Sequence, residues 1–157
     1  MNIRLLVIGK TSESYISEGM QLYFNRIGHY LRATIQEIPG LKNIRNFSSQ
    51  QLKDKEAELV FRHLTPTSRL VILDEHGQEA SSKEFAGFIE KQLNSGVKEL
   101  IFLAGGAWGI SDILKKRADY TLSLSKMTFP HQLVRLIFAE QLYRALTILK
   151  NEPYHNE

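Results

Sequence analysis

Short apolar runs alternate with longer stretches of helical period along this chain, and no other feature constrains its fold as strongly. The runs rich in β-branched and apolar residues predict five strands, at 2–8, 33–38, 69–74, 99–103 and 120–124. Strands that alternate with helix-length segments favour an α/β fold with a largely parallel sheet. We expect one domain over 1–157, because 18.0 kDa is an ordinary size for a single hydrophobic core.

Capping patterns mark the helices between these strands. The first helix is expected to follow Ser12 and to run to about Leu31. Two capping boxes predict the starts of the second and third helices, at Ser48 with Gln51 and at Ser81 with Glu84. Asn94-Ser95-Gly96 should end the third helix, and a short fourth helix should follow Ser111.

The last predicted helix begins with Pro130 as its first residue and runs to about Lys150, with Thr128 as a possible capping side chain. Its apolar residues point in every direction, so it should be buried on all sides. Arg135, Glu140 and Arg144 inside the run argue against a membrane span. In a chain this small, a second subunit is the simplest cover, and we therefore expect a homodimer.

Composition narrows the cellular setting. The chain has no cysteine, which excludes disulfides and favours a reducing compartment. The apolar run at 5–8 is too short for a signal peptide or a membrane span, so the expected location is cytoplasmic. Residues 115–150 carry seven basic and two acidic side chains. That asymmetry leaves two interpretations open, an anionic partner such as a nucleic acid or a solvated helix face.

Three segments with potential chemistry follow predicted strands. The glycine-rich turn Phe102–Ser111 offers close backbone approach and free N–H groups, although its spacing differs from the dinucleotide fingerprint and a ligand-free tight turn is equally compatible. Polar side chains fill Ser123–Gln132, and Leu73–Gly77 follows the third strand. Because ligands bind at the carboxyl ends of parallel strands, these loops predict a pocket. The five histidines lack metal-ligand spacing, so we expect no metal.

These segments together resemble one family closely. The matching motifs are Leu103–Gly109, Leu122–Gln132, Glu140–Ala145 and Tyr154-His155. They are similar to the RlmH family, bacterial large-subunit ribosomal RNA pseudouridine N3-methyltransferases of the SPOUT, or α/β-knot, class. The resemblance implies a mostly parallel sheet flanked by helices, a C-terminal trefoil knot and S-adenosyl-L-methionine as cofactor. It also implies cofactor contacts from Leu73, Gly105, Leu124, Ser125, Lys126, Met127, Thr128 and Phe129.

The implied reaction transfers a methyl group to N3 of a uracil ring in ribosomal RNA within the ribosome. N3 carries a weakly acidic proton, so a base or a nearby cation would help. His131 and His155 are the candidate bases, and Arg135 and Arg144 the candidate cations. His131 could equally be a packing residue, and Arg144 a helix partner of Glu140 four residues earlier.

Two expectations concern the C-terminal tail, one about folding and one about catalysis. Residues 154–157 follow Pro153, and a frayed end that contributes little to folding is the ordinary expectation. Tyr154 could nevertheless stack on or bond to a base, and could do so in the partner's pocket. Family members commonly end Tyr-His-Arg or Tyr-His-Lys, whereas Asn156 follows His155 here. A terminal cation would then be lost or replaced by Lys126, Arg135 or Arg144.

Two other functional classes remain open from the residues alone. A ribosome-binding factor without enzymatic activity would need the basic face but no cofactor pocket. A different nucleotide-binding enzyme would need the glycine-rich turn but not the knot. Binding of S-adenosylmethionine separates these classes from a methyltransferase.

Overall fold

The computed structural model describes residues 1–156 as alternating strands and helices. The strands are β1 (Asn2–Ile8), β2 (Ala33–Ile38), β3 (Arg69–Glu79), β4 (Glu99–Ala104) and β5 (Tyr120–Ser123). The helices are α1 (Ser14–Ile27), α2 (Ser49–Phe61), α3 (Ser82–Asn94), α4 (Asp112–Arg117) and α5 (His131–Leu149), with a short 3₁₀ turn at Ile44–Asn46.

All five strands form one parallel sheet in the order β2-β1-β4-β3-β5, which confirms the predicted α/β class. Helices cover both faces. Ile3, Leu5 and Val7 of β1 point into a core shared with α1, α3 and α5, whereas Leu6 and Ile8 face α2 and α4. Burial on both faces explains why these strands appear in the sequence as continuous apolar runs.

The third strand is longer than predicted. Its pairing with β5 is interrupted after Leu73 and resumes at Gln78, so that residues 74–77 leave the ladder. The register shift moves this short segment out of the sheet at the carboxyl end of β3. The acidic and histidine side chains of the segment consequently lie at the edge where a ligand would bind.

Helix α5 lies between α1 and α3 and buries Phe138, Leu142 and Ala145 in the core. Its own chain therefore covers much of its surface. Other apolar side chains of α5 remain partly exposed, including Leu136 and Ile137. Burial against neighbouring helices accounts for one side of this helix but not for its whole circumference.

The capping predictions have mixed outcomes. Both capping boxes are present, with reciprocal bonds between Ser48 and Gln51 and between Ser81 and Glu84. Helix α1, in contrast, ends at Ile27 and is followed by a turn, so its predicted end at Leu31 was too late. Pro130 is the cap of α5 and not its first residue, and no side chain caps this helix, so the prediction for Thr128 was wrong.

Candidate active site

A pocket of about 360 Å³ opens at the carboxyl ends of β3, β4 and β5. The loops after these three strands all contribute to its wall, as the strand ends of a parallel sheet predict. Helices α2, α4 and α5 complete the wall with Lys53, Lys115, His131 and Val134. The three segments singled out in the sequence therefore do meet at one cavity.

Six of the eight predicted cofactor residues line this pocket. They are Leu73, Gly105, Leu124, Ser125, Met127 and Phe129. Lys126 and Thr128 are not part of the wall, and both are exposed. The Lys126 Nζ atom lies 3.4 Å from Glu79 Oε2 at the surface. The loop after β5 thus presents four of its residues 124–129 to the cavity and leaves the other two outside the wall.

Glycine at position 105 is required by its surroundings. A β-carbon placed there would lie 2.8 Å from Cγ1 of Ile110, closer than such atoms approach. The loop folds back on itself at this point, and Ile110 forms part of the same pocket wall. Without a side chain at Gly105, the backbone itself is exposed to a ligand, which is what close approach requires.

Opposite charges meet at one side of the pocket. Lys115 Nζ on α4 lies 2.8 Å from Asp74 Oδ2, and the backbone N–H of His76 donates to Asp74 Oδ1 at 3.0 Å. Burial favours the neutral acid, but the hydrogen bonds and charges of Lys115 and His76 outweigh it and lower the pKa of Asp74. Asp74 is therefore an ionised acceptor at neutral pH.

His131 is the first residue of α5 and lines the pocket. Partial burial and the positive charge of Arg135 both lower its pKa below the ordinary histidine value. A neutral imidazole at physiological pH has a nitrogen lone pair available. The structure therefore brings one of the two candidate bases to the pocket in a form that can accept a proton.

Arg135 is fully buried and does not face the pocket. Its Nη2 donates to the carbonyl oxygen of Ile8 at 2.6 Å, and its Nη1 donates to Gly9 O at 3.1 Å and to Thr11 Oγ1 at 2.8 Å. These bonds fix the end of β1 to the start of α5. A guanidinium engaged in this way is a structural clamp, which corrects the expectation that Arg135 is a cation facing the substrate or a replacement for a terminal cation.

Gln132, the residue after His131, supports the same junction. Its Oε1 accepts the backbone N–H of Ser12 at 2.9 Å, and its Nε2 donates to Lys10 O at 3.1 Å. Helix α1 has no capping side chain of its own, so Gln132 supplies an acceptor beside its first turn. Gln132 and Arg135 thereby fix the start of α5, where His131 is the first residue, to the β1–α1 loop.

The other predicted catalytic residues form a separate cluster. The Arg144 guanidinium bonds to Glu140 Oε1 through Nε at 3.0 Å and through Nη2, which confirms the helix pair expected from their spacing. The Nη1 atom of Arg144 also donates to His155 Nδ1 at 3.3 Å. Hydrogen bonding to Glu140 raises the pKa of Arg144. None of Glu140, Arg144, Tyr154 and His155 lines the pocket of this chain.

The tail is packed and not frayed. The Tyr154 hydroxyl donates to Glu140 Oε1 at 3.1 Å, and its ring meets that of Tyr143 edge-on at 4.7 Å. The Arg144 guanidinium lies 4.8 Å from the centre of the Tyr154 ring. The expectation of a frayed end after Pro153 was therefore wrong for Tyr154 and His155, whereas Asn156 is exposed.

Sequence reasoning missed two residues of helix α2. Lys53 lines the pocket, and Glu56 lies buried against the glycine-rich turn. A signal for Glu56 was present, because it occupies the apolar face that Leu52 and Val60 define at helical spacing. An acidic residue in such a stripe is informative, since lone carboxylates are rarely buried.

Within residues 1–156, no helix is long and apolar enough to cross a membrane. The same residues contain no group of three or more histidine, aspartate or glutamate side chains placed to hold a metal ion.

Comparisons with known proteins identify the class of this fold and site. A solved structure, a probable methylase family protein from Haemophilus influenzae, has the same fold with a TM-score of 0.54 at 15% identity, over 96% of this chain and 66% of that one. The family described as predicted SPOUT methyltransferase matches residues 1–155. The chain belongs to the SPOUT methyltransferase family.

Curated relatives are similar over the whole chain. The chain is 48% identical over 157 residues to the ribosomal RNA large subunit methyltransferase H of Parabacteroides distasonis, with all of both chains covered. It is 47% identical over 156 residues to the protein of the same name from Christiangramia forsetii, with 99% of each chain covered.

Proposed function

We propose that this protein transfers the methyl group of S-adenosylmethionine to N3 of a pseudouridine in large-subunit ribosomal RNA, on the assembled ribosome. Dependence on S-adenosylmethionine and action on ribosomal RNA follow from its family and from the activity named for its relatives. The pocket at the strand ends is the observation that carries the proposal for this chain. Two assignments are finer and rest on the resemblance of the motifs. They are N3 of pseudouridine as the methylated atom and the assembled ribosome as the substrate.

The residues of the pocket fit the cofactor. Leu73, Ile110, Leu124, Phe129 and Val134 provide apolar surface for a purine ring, and the exposed backbone at Gly105 provides polar groups. Its volume of about 360 Å³ is within the range of small-molecule sites. When bound, S-adenosylmethionine supplies a methyl group carried on a sulfonium sulfur. The remainder of the cofactor leaves as a neutral thioether.

The protein's own contribution is to orient the two reactants and to receive a proton. Methylation forms an N–C bond at N3, breaks the S–C bond and releases the N3 proton. His131 is the proposed acceptor, because it lines the pocket and its lowered pKa keeps it neutral. The clamp formed by Gln132 and Arg135 orients this histidine.

We also propose a homodimer in which the tail cluster completes the partner's pocket. Tyr15 and Leu22 on α1 are 60% and 48% exposed and lie on one helix face with Gly19 between them. Leu136 of α5 packs directly against Gly19, so the two helices form a continuous apolar surface. A second copy of the chain is the proposed cover. It also provides a substrate role for Tyr154 and His155, which lie outside their own chain's pocket.

The dimer is tested by light scattering. The intact protein should scatter as twice 18.0 kDa, and Leu22→Glu should scatter as a single chain. Ser17→Glu, which adds the same charge at an exposed position on a different face of this helix, serves as control. A single-chain mass for the unmodified protein at micromolar concentration would contradict the dimer.

Two further assignments complete the proposal. A cytoplasmic location follows from a ribosomal substrate. The trefoil knot is supported by the family match over 1–155.

The proposed substrate is tested with radiolabelled S-adenosylmethionine and ribosomes from a strain that lacks the activity. Methyl incorporation should be high with assembled ribosomes and low with purified ribosomal RNA. Equal rates on a short free RNA would contradict the preference for the ribosome. A His131→Asn variant that transfers methyl at the unmodified rate would contradict the assignment of the base.

A further inference from the structure

Glu56 lies beneath the glycine-rich turn that forms one wall of the pocket. It is on α2, one turn after the pocket residue Lys53, and its side chain is 5% exposed. Its carboxylate oxygens would lie 3.1 and 3.3 Å from a β-carbon built at Gly106. A carboxyl group is therefore held directly against the pocket loop, although it is not itself part of the wall.

The Glu56 carboxylate lacks the partners that such a group ordinarily has. Its Oε2 is buried without a hydrogen-bond partner in the described residues. Burial raises the pKa of this carboxyl to about 7. An unsatisfied buried polar group destabilises the folded state, so folding stability does not explain why a glutamate is present here.

Gly106 leaves room for the Glu56 carboxylate because it has no side chain. A β-carbon at this position would meet both Glu56 oxygens and would also lie 3.3 Å from Cγ2 of Ile8. Any other residue would require these side chains to move by a few tenths of an ångström. Backbone N–H groups of glycine-rich turns are hydrogen-bond donors that a nearby anion can attract. The unpaired Oε2 acceptor of Glu56 therefore lies beside a turn that has no side chain at Gly106.

We propose that Glu56 is a positioning residue for the cofactor pocket. Its carboxylate accepts backbone N–H hydrogen bonds from the turn at Gly106 when the cofactor is bound, and so fixes residues 105–109 in the binding conformation. The inference rests on the cofactor binding of the proposed function and assigns Glu56 no contact with the cofactor itself.

A measurable consequence is proton release. Hydrogen bonding to the ionised form lowers the pKa of a carboxyl, so binding should release a proton from Glu56, and affinity should rise with pH through about 7. Gly106 and Ile8 of β1, which both lie at this part of the turn, are uncharged. The ionisable groups of the adjoining pocket wall are Lys53, Asp74, Glu75, His76, Lys115 and His131. Among these, His76 and His131 carry imidazoles, and His131, which the proposed reaction uses, needs its own control.

Calorimetric titration with S-adenosylhomocysteine tests the inference. Binding is measured from pH 5.5 to 8.5 in two buffers of different ionisation enthalpy, which reports protons released. Glu56→Gln should melt at a higher temperature than the unmodified protein at pH 8, yet bind about tenfold more weakly and release no proton near pH 7. Glu58→Gln, an exposed position on the same helix, is the matched control. His131→Gln should retain the proton release.

A second variant keeps the test independent of the folding of the first. Gly106→Ala should separate the turn from Glu56 and likewise lose the pH-dependent increase in affinity. If Glu56→Gln binds with unchanged affinity and unchanged proton release, the positioning role is wrong and the cofactor assignment stands. If the unmodified protein does not bind the ligand at all, both the inference and the proposed cofactor are overturned.

Discussion

The Nη2 atom of Arg135 donates a 2.6 Å hydrogen bond to the carbonyl oxygen of Ile8, which joins the last helix to the end of the first strand. The two residues are 127 positions apart, and the arginine is fully buried. The start of α5, and with it the pocket residue His131, is therefore positioned by the opposite end of the chain.

We predict that Arg135→Met mainly reduces stability. It should lower the free energy of unfolding by roughly 3 kcal/mol, since hydrogen bonds to charged groups each contribute about 1.5–3 kcal/mol and are not additive. Urea unfolding measures this, with Lys150→Met at an exposed helix end as control. Unchanged stability together with lost methyl transfer would instead make Arg135 a catalytic cation.

A substitution at Gly105 should damage ligand binding selectively. Gly105→Val places atoms where Ile110 already lies 2.8 Å from the β-carbon position, so the loop must move. We expect cofactor affinity by calorimetry to fall at least tenfold, about 1.4 kcal/mol. Gly87→Ala is the control, because a β-carbon there meets nothing within 4 Å. Full affinity in a folded Gly105→Val protein would show that the turn does not contact the ligand.

Ending the chain at Pro153 should affect both folding and activity. Loss of the Tyr154 contacts with Glu140 and Tyr143 should reduce stability by roughly 1–2 kcal/mol, which thermal melting detects. Cofactor affinity should change little, because the pocket wall is intact, whereas methyl transfer to ribosomes should fall steeply.

Mixing experiments examine whether the tail acts across subunits. Chains ending at Pro153, combined with Gly105→Val chains, should recover part of the methyl transfer activity, because one pocket in the mixed dimer is intact and has the partner's tail. Absence of any recovery would indicate that each tail acts within its own subunit. A truncated protein with the full rate would remove Tyr154 and His155 from the mechanism.

Stability should depend on pH through Glu56. The carboxyl has a raised pKa of about 7 in the folded protein, against 4.5 ordinarily, so the folded state binds the proton more tightly. The resulting stabilisation is complete below pH 4.5 and is lost as the pH rises through about 7. The Tm of the unmodified protein should therefore decline from pH 5 to pH 8 relative to that of Glu56→Gln. Parallel curves would show that this carboxyl ionises normally.

The sequence predicted the strands and helices of this fold better than the contacts between distant residues. Hydrophobic periodicity predicted the positions of the strands along the chain, and residue spacing predicted the capping boxes at Ser48 and Ser81. Both depend only on local sequence. The strand ends also located the pocket loops. The role of Arg135 could not be read in the same way, since the helical pattern shows its position but not that Ile8 and Gly9 are its partners.

The packing of the C-terminal tail could not be predicted for the same reason. A short polar end after a proline carries no local signal of packing, and the contacts of Tyr154 come from Glu140 on α5 and Tyr23 on α1. The buried position of Glu56 was visible in the helical pattern, but its approach to Gly106 required the loop to be placed in three dimensions.

The methylated nucleoside that this protein produces is identified by nucleoside analysis with mass spectrometry. Ribosomes from a strain lacking the activity are incubated with the protein and S-adenosylmethionine, and their large-subunit RNA is digested to nucleosides. We predict that N3-methylpseudouridine appears with the intact protein and is strongly reduced with the Gly105→Val variant. No methylated nucleoside, or a methyl group on a different base or on ribose, would contradict it.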